Sequence, residues 1–411
     1  GSEWDYEYDG RSRLTQAERF DTDGSTLLHR FSYTYDDADN LLTKAIYDAV
    51  AAVTTSTAFE YNGTMLTKSI QGATQTTFAY DPKGRMTSKS DGTYSATYAY
   101  RYDDKLCFVT SDFPDEGNVS YTYGSDGKRR SRTAGGTTTR YRWDVGWNML
   151  NEEDNLGNLT RTHVMDSPLA QVANVLADVA GTNPATGAYR YYGSDHLGST
   201  RGLYDGGKSA LGGYEYTPYG EVYANSGSVA LEGLAAAFTG KPWDAAAQMY
   251  YFPYRWYSPS SARWLTRDPL GMVDGPNVYG YVSCGPVRSF DPLGLLRDSV
   301  SNSLWVNLKE TLSLISGTWW MTWNQIQSIW INRLLPQLQL AVQKLNSLTT
   351  HLANLQRQLR LERAQQCVNL ETIRKLERAI AETKVSINDW NAFLEEVKRA
   401  QDMLINMRLK L

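Results

Sequence analysis

Hydrophobic and polar residues alternate along most of the first 295 residues, in short runs separated by turns that contain Gly, Asp or Asn. Within this pattern an aromatic-x-aromatic unit followed by Asp, Asn or Gly recurs at steps of roughly 20 residues. Alternation predicts strands with one face turned inward, and the Gly after several units predicts a tight turn between two strands. The copies are Tyr33-Thr-Tyr35-Asp36, Phe59-Glu-Tyr61-Asn62, Phe78-Ala-Tyr80-Asp81, Tyr100-Arg-Tyr102-Asp103, Tyr121-Thr-Tyr123-Gly124 and Tyr141-Arg-Trp143-Asp144.

A repeat of this length is typical of stacked supersecondary units that share one continuous core. The tyrosine rings are expected to stack from repeat to repeat, because each ring buries a large area while its hydroxyl finds a polar partner. The composition agrees, since 28 Tyr and 33 Gly favour strands and turns. Residues 1–145 are therefore predicted to form a segment of an antiparallel β-sheet, and residues 146–295 to keep the β character.

The pattern changes completely after residue 295. Apolar residues then recur at three- and four-residue steps, from Leu338 to Leu359 and from Leu370 to Met407. Such steps predict α-helices close to a heptad repeat, and a break near residues 367–369 would allow an antiparallel helical hairpin. Residues 296–411 are therefore predicted to form an all-α, coiled-coil-like C-terminal domain.

The charge changes at the same place. Residues 1–295 carry 26 Lys and Arg against 35 Asp and Glu, a net charge of -9, whereas residues 296–411 carry 15 against 10, a net charge of +5. This asymmetry favours different roles for the two segments.

The stretch from Trp305 to Leu335 is rich in tryptophan and helix-like. Its tryptophans can pack as the core of the helical domain, or they can insert into a membrane surface as an interfacial helix. The sequence leaves both interpretations open. No run of eighteen apolar residues is present, so an ordinary transmembrane helix is not predicted.

Directly before this change, the tetrapeptide Asp268-Pro269-Leu270-Gly271 recurs as Asp291-Pro292-Leu293-Gly294. The Asp-Pro openings and Gly endings predict tight turns that hold both carboxylates on rigid loops. Taken alone, each Asp is expected only to cap its turn. Two neighbouring carboxyls cannot both ionise easily, however, so one can activate water while the other polarises a peptide carbonyl. Their place at the boundary between two unlike segments makes peptide cleavage there the sharper hypothesis.

Other candidate sites are weaker. Asp195-His196 lacks the spacing of a metal site, and Ser199 lacks a third catalytic partner and the Gly-x-Ser-x-Gly turn. The basic run from Lys128 to Arg132 is expected to be a solvated strand face, so no nucleic acid partner is predicted. Three distant cysteines predict neither a disulfide framework nor a zinc site, and no cofactor or metal is expected.

Several of these motifs occur together in one known family. The Tyr-Asp units, the string Asp195-His-Leu-Gly-Ser-Thr-Arg201, the block Phe238-Thr-Gly-Lys241 and the paired Asp-Pro-Leu-Gly motifs resemble the Rhs/YD-repeat family over residues 5–295. The ordered series that ends in Asp-Pro-Leu-Gly-Leu is similar to the Rhs repeat-associated core of that family. The resemblance implies a mainly β fold, in which a sheet spirals around a cavity as a shell and residues 146–295 form the core that plugs one end. A closed shell needs many more repeats than this chain has, so an open end of a shell is expected.

The resemblance also implies an activity. In the family the core is an aspartyl autoprotease that cuts just after the second Asp-Pro-x-Gly-Leu, which corresponds to the bond between Leu295 and Leu296. Asp268 and Asp291 are then the catalytic carboxylates, and Arg255, in the Tyr-Arg-Trp-Tyr-Ser-Pro stretch, is the associated arginine. An arginine next to a carboxylate pair could orient one carboxylate. Met272 follows the first motif where the family has Leu, which is a mild change.

The partners implied by the resemblance are the chain's own C-terminal segment as a toxin or effector cargo, further N-terminal shell repeats or delivery-complex subunits, and an immunity protein. A membrane surface is a further candidate partner, through the Trp-rich helix. The implied location is secreted or at the cell surface, after delivery by a bacterial secretion system or toxin complex. The alternative is a non-enzymatic cell-surface or adhesion protein, whose tail is a coiled-coil oligomerisation module and whose aspartates only form turns.

Overall fold

A computed structural model of the chain describes residues 3–144, 146–166, 174–181, 187–272 and 275–295, together with single residues of the tail. The chain divides into two units, Gly1–Ser299 and Val300–Leu411. The described tail residues, all in helical conformation, are Gln356, Ile380, Lys384, Asn391, Glu395 and Lys398. Leu296, the Trp-rich stretch and the rest of the predicted coiled-coil-like domain lie outside the described residues, so those expectations stay predictions.

The first unit is built on one antiparallel sheet of 20 strands, in which each strand pairs with the next one along the chain. Its first ten strands are β1 (Glu3–Tyr8), β2 (Leu14–Phe20), β3 (Leu27–Tyr35), β4 (Leu41–Asp48), β5 (Val53–Asn62), β6 (Met65–Gln71), β7 (Thr74–Tyr80), β8 (Met86–Ser90), β9 (Ser95–Tyr100) and β10 (Leu106–Ser111). The other ten are β11 (Val119–Tyr123), β12 (Arg129–Ala134), β13 (Thr137–Trp143), β14 (Met149–Glu153), β15 (Leu159–Met165), β16 (Val175–Ala180), β17 (Tyr189–Ser194), β18 (Thr200–Asp205), β19 (Ala210–Tyr216) and β20 (Val222–Gly227). This up-and-down meander confirms the mainly β class that the alternating pattern predicts.

The aspartate of the repeat unit closes the turn between two strands. At Asp36 the carboxylate accepts the backbone N–H groups of Ala38 at 2.9 Å and Asn40 at 2.8 Å. The same arrangement recurs at Asp81 and at Asp154. Asp is favoured here because its short side chain can bond to backbone N–H groups two and four residues further along the chain.

In four units, the tyrosine directly before the turn ties its repeat to the one before it. Its hydroxyl donates to a backbone carbonyl of the preceding repeat, so a buried ring keeps its polar tip satisfied. The bonds, each of 2.7 or 2.8 Å, join Tyr35 to Leu14, Tyr61 to Leu41, Tyr100 to Met86 and Tyr123 to Leu106. The predicted stacking of tyrosines therefore comes with a specific hydrogen bond in each of these repeats.

One copy of the unit lies two residues earlier than the sequence pattern predicts. Tyr102, taken as its second aromatic residue, is 86% exposed, whereas Tyr98 is buried. The turn begins at Arg101, whose N–H donates to Lys105 O at 2.9 Å. The register is set by burial: Tyr98 and Tyr100 face the core, and an arginine takes the place of the turn aspartate.

A β-bulge precedes the second aromatic residue in most units. A bulge adds one residue to a strand and increases the local twist, so regular bulges curl the sheet. The curl brings β2 near the last strands: Arg19 donates to Tyr223 at 2.9 Å and to Glu215 at 3.2 Å. The bulges fall between Thr34 and Tyr35, Glu60 and Tyr61, Ala79 and Tyr80, Thr122 and Tyr123, and Arg142 and Trp143.

Residues 231–272 and 275–295 lie within the curl of this sheet. They hold a small antiparallel sheet of β21 (Trp243–Asp244), β22 (Met249–Tyr251), β23 (Trp256–Ser258) and β24 (Arg263–Trp264), and 3-10 turns at Leu231–Gly233, Phe238–Gly240 and Val282–Cys284. Their aromatic side chains form the core with residues of the large sheet. The inner residues are therefore enclosed and can support buried polar groups.

Buried polar contacts fix the inner sheet to the outer one. Asp244, 2% exposed, accepts the Tyr121 hydroxyl at 2.8 Å and two Arg132 donors at 2.8 and 3.0 Å. Lys105 donates to Pro253 O at 2.6 Å.

Within the described part of the chain, no helix has the length and hydrophobicity that a membrane span requires.

Candidate functional site

Arg255 lies between the two carboxylates that the sequence analysis singles out. Its Nη2 atom is 2.9 Å from Asp268 Oδ2 and 3.2 Å from Asp291 Oδ2. The side chains are enclosed, with exposed fractions of 2% for Arg255, 7% for Asp268 and 3% for Asp291. The structure thus brings together three residues that are up to 36 positions apart in sequence.

The inner sheet positions this arginine. Arg255 lies between β22 and β23, in a turn where the Phe252 N–H donates to Arg255 O at 3.1 Å. Its guanidinium lies over the Trp264 ring, 4.2 Å from the ring centroid. A planar guanidinium can stack on a ring while its edge serves two carboxylates, which a lysine ammonium cannot do in the same way.

Each carboxylate also caps the turn of its own motif. Asp268 Oδ1 accepts the N–H of Leu270 at 2.8 Å. Asp291 Oδ1 accepts the N–H groups of Leu293 at 3.2 Å, Gly294 at 2.7 Å and Leu295 at 3.0 Å. Asp36 in the outer sheet likewise accepts the N–H groups two and four residues ahead, as Asp291 does. Asp268 and Asp291 therefore each cap a turn and also belong to the buried cluster.

The segment that ends at Leu295 is held from several sides. The Tyr254 N–H donates to Leu293 O at 2.9 Å, and Arg255 Nε donates to Gly294 O at 2.5 Å. Gly294 has a φ of +76°, and a Cβ on it would lie 3.1 Å from the Cβ of Phe252. Leu295 is half-buried, and the predicted cleavage partner Leu296 lies outside the described residues.

Lys241 is a charged neighbour of this cluster to which the sequence analysis assigns no role. The residue is 4% exposed, and burial lowers the pKa of its ammonium to about 8, against the opposing effect of the Asp291 carboxylate. Its Nζ lies 5.5 Å from the centroid of the Phe252 ring. In the sequence, Lys241 stands out only as the last residue of the family motif Phe238-Thr-Gly-Lys241.

The electrostatics of the cluster favour an ionised Asp291. Three backbone N–H donors and the Arg255 guanidinium stabilise its charged form. Asp268 contacts the same guanidinium, so one cation serves both carboxylates. A buried pair of this kind is suited to acid–base chemistry on a peptide group beside it.

The weaker candidates occupy structural positions. Asp195 caps a turn by accepting the N–H groups of Leu197 at 3.0 Å and Ser199 at 2.9 Å, and His196 Nε2 lies 2.9 Å from Val287 O. The Ser199 hydroxyl accepts the Thr239 N–H at 3.0 Å. Among the described residues, no group of three or more His, Cys, Asp and Glu side chains is placed to hold a metal ion.

The expectation of a solvated face at the basic run is wrong for two of its residues. Lys128 and Arg129 are only 8% and 2% exposed. The Arg129 guanidinium lies 4.2 Å from the Tyr251 ring centroid and 4.4 Å from that of Tyr141. Cation–π contacts with several rings, and the Asp244 carboxylate at 3.9 Å, compensate the buried charge.

Comparison with known proteins shows what most of the chain is similar to. The teneurin YD-shell family matches residues 2–274 of the chain. The tRNA3(Ser)-specific nuclease WapA of Bacillus spizizenii is 26% identical over 267 residues, which are 64% of this chain and 11% of that protein. The toxin subunit YenC1 of Yersinia entomophaga is 26% identical over 301 residues, 69% of this chain and 31% of that protein. The crystal structure of TcdB2-TccC3-TEV matches 71% of this chain and 18% of that chain, with 19% identity and a TM-score of 0.38.

Proposed function

This chain belongs to the teneurin YD-shell family as an Rhs/YD-repeat protein, and from that premise we propose that it is part of a shell that delivers a toxin. The proposal draws on relatives described as a toxin subunit and a nuclease, of which the chain spans 31% and 11%. The curled sheet and the inner residues 231–272 and 275–295 packed against it are consistent with a shell segment and the core within it. The remaining N-terminal repeats or other subunits of a delivery complex are its proposed partners.

The proposed activity is self-cleavage after Leu295, carried out by Asp268 and Asp291 with Arg255. The supporting observation is the convergence of these three side chains in one buried cluster beside the segment that ends at Leu295. A purely turn-capping role explains the bonds that each aspartate makes to backbone N–H groups. It does not explain why both aspartates contact the same arginine.

Hydrolysis by this cluster needs one ionised and one protonated carboxyl. The ionised carboxylate takes a proton from water, and the resulting hydroxyl adds to the carbonyl carbon of Leu295. The protonated carboxyl donates to the carbonyl oxygen, and the bond to the nitrogen of Leu296 then breaks as that nitrogen gains a proton. The products are a carboxylate on Leu295 and an amine on Leu296, and no co-reactant other than water is consumed.

Arg255 orients the cluster in this scheme. It contacts both carboxylates and also donates to Gly294 O, one residue before the carbonyl to be cleaved. Catalytic groups and substrate segment are thus joined by one side chain, which reduces the entropy cost of reaching the reactive geometry.

Cleavage would free residues 296–411 as the cargo of the shell. Their positive charge and helical periodicity, against the acidic β segment before them, fit a separate released unit. Secretion, an immunity protein and contact with a membrane surface through the Trp-rich stretch belong to the same proposal.

Intact-mass measurement of the purified chain tests the self-cleavage. Wild type is expected to give fragments of 295 and 116 residues, and Asp291→Asn and Asp268→Asn to stay at 411 residues. Asp205→Asn is a matched control, because Asp205 caps an exposed turn through Gly207 and Ser209 at 2.9 and 2.8 Å. It should cleave like wild type. A wild-type chain that stays at full length would overturn the proposal and favour the surface or adhesion protein.

A further inference from the structure

The peptide group between Pro253 and Tyr254 is hydrogen-bonded on both of its sides. Its carbonyl oxygen accepts a bond of 2.6 Å from the ammonium of Lys105, and its N–H donates to Leu293 O at 2.9 Å. In a planar trans peptide the oxygen and the hydrogen point in opposite directions. This one rigid group therefore joins Lys105 to the turn that carries Leu293.

A second peptide group continues this chain of hydrogen bonds. The carbonyl of Leu293 and the N–H of Gly294 belong to the same peptide, and that N–H donates to Asp291 Oδ1 at 2.7 Å. Three hydrogen bonds and two peptide groups thus connect the ammonium of Lys105 to the carboxylate of Asp291. Each donor points along the chain toward the carboxylate, and hydrogen bonds arranged in series polarise and strengthen one another inside a protein.

The outer sheet and two aromatic rings hold Lys105 at its end of the chain. Lys105 is the last residue of the turn before β10, and its carbonyl accepts the Arg101 N–H at 2.9 Å. The residue is 8% exposed, and its Nζ lies 4.5 Å from the centroid of the Tyr254 ring and 5.8 Å from that of Trp147. These cation–π contacts stabilise the ammonium where it meets the Pro253 carbonyl.

We infer that Lys105 is a positioning residue for Asp291, on which it acts through the two peptide groups. The inference rests on the proposed function, because its kinetic consequence is the rate of self-cleavage. Without the ammonium, the carbonyl of Pro253 loses a charged donor, and the two hydrogen bonds that follow it weaken. The turn that orients Asp291 and Leu295 is then less constrained, so the reactive alignment is reached less often.

Lys44 provides a matched control in the same sheet. It is 9% exposed, and its ammonium donates to Ser260 O at 2.6 Å, the distance that also separates Lys105 from Pro253 O. Ser260 lies between β23 and β24, whereas the chain from Lys105 passes through the turn between β22 and β23. Lys44→Met therefore removes a comparable buried cation and leaves the chain to Asp291 intact.

The kinetic test follows self-cleavage of the full chain after cell-free synthesis, by the appearance of the fragment of 116 residues. Lys105→Met is expected to cleave about tenfold more slowly than wild type, which corresponds to about 1.4 kcal/mol of transition-state stabilisation. Lys44→Met should cleave at the wild-type rate. Lys105→Arg, which keeps a cationic donor, should recover most of the rate, and Lys105→Gln, which keeps a neutral donor, should be intermediate. Equal rates in Lys105→Met and Lys44→Met would overturn the inference.

A second measurement does not depend on cleavage. In Asp268→Asn, ¹⁵N-glycine labelling reports the amide of Gly294, whose signal is assigned by its loss in Gly294→Ala. Adding Lys105→Met should move this amide proton upfield, because its hydrogen bond to Asp291 weakens with the chain, and adding Lys44→Met should leave it in place. A Gly294 signal that Lys105→Met does not move refutes the inference. A wild-type chain that stays at full length refutes the proposed function instead, and the Gly294 signal still decides whether Lys105 acts on the turn.

Discussion

Asp291 Oδ1 accepts a hydrogen bond from the backbone N–H of Leu295 at 3.0 Å. The carboxylate that we propose as a catalyst is therefore bonded to the residue whose carbonyl it would help to cleave. Its second oxygen faces Arg255, so a single tight turn carries a reacting group and the substrate segment together. Such pre-alignment replaces a large part of the entropy cost of the reaction.

The glycines of the two motifs should respond differently to substitution. Gly294→Ala places a Cβ 3.1 Å from Phe252 Cβ and 3.2 Å from Arg255 N, whereas Gly271→Ala meets no atom within 4 Å. Both glycines have φ near +75°, so the left-handed backbone conformation should destabilise both alanine variants by about 1–2 kcal/mol. Displacement of the turn should slow self-cleavage about 100-fold in Gly294→Ala only, as measured by the time course of fragment appearance. Equal rates in the two variants would contradict the proposed alignment.

Removal of Arg255 should destabilise the first unit. Arg255→Ala leaves two buried carboxylates without their shared cation, at an expected cost of about 3–5 kcal/mol in free energy of unfolding. Arg142→Ala is the control, since its side chain is 65% exposed and should change stability little. Urea unfolding followed by tryptophan fluorescence compares the two. Acidification should recover part of the stability of Arg255→Ala, because protonated carboxyls no longer need a cation.

The link between the two sheets should depend on Asp244. Asp244→Ala leaves Arg132 and the Tyr121 hydroxyl without a buried acceptor, and we expect a loss of about 3–5 kcal/mol in the free energy of unfolding. Asp154→Ala removes an exposed turn cap and is the matched comparison. A similar unfolding midpoint for both variants would show that the buried network does not hold the inner sheet in place.

The stability of the protein should rise with pH from about 8 and pass through a maximum near pH 10. The pKa values of Lys105 and Lys241 fall from 10.5 to about 8 on burial, so the unfolded chain binds more protons between these values and stability rises with pH. Burial raises the pKa values of Tyr61 and Tyr141 from 10.0 to about 12, so above pH 10 the folded chain binds more protons and stability falls. Thermal unfolding midpoints across this range test both slopes. A midpoint that falls steadily from pH 8 would refute the lysine contribution.

Much of the outer sheet could be predicted from local sequence. The alternation of apolar residues, the aspartate turns and the aromatic pairs are short-range features, and at Asp36 and Tyr35 the structure has the turn and the buried ring that they predict. The predicted register of the unit at residues 100–103 is wrong. Three aromatic residues alternate there, at 98, 100 and 102, and only burial decides which two face the core.

The sequence predicted only some of the residues of the candidate site. The repeat of Asp-Pro-Leu-Gly and the family resemblance pointed to Asp268, Asp291 and Arg255. No local pattern could show that Lys241 is buried beside them, or that Arg129 is enclosed by aromatic rings, because those environments are made by strands distant in sequence.

By itself, the sequence determined the β class of the first 295 residues, the turn residues and the family, because strand alternation and turn chemistry depend on neighbours in the chain. Tertiary structure alone decided that two separate turns meet at one arginine, and that Asp291 holds Leu295 while Arg255 holds Gly294. The physical reason is that burial and charge compensation arise only where the curled sheet and the inner strands close on each other. The lowered pKa that such enclosure gives the Lys241 ammonium is likewise a property of the fold.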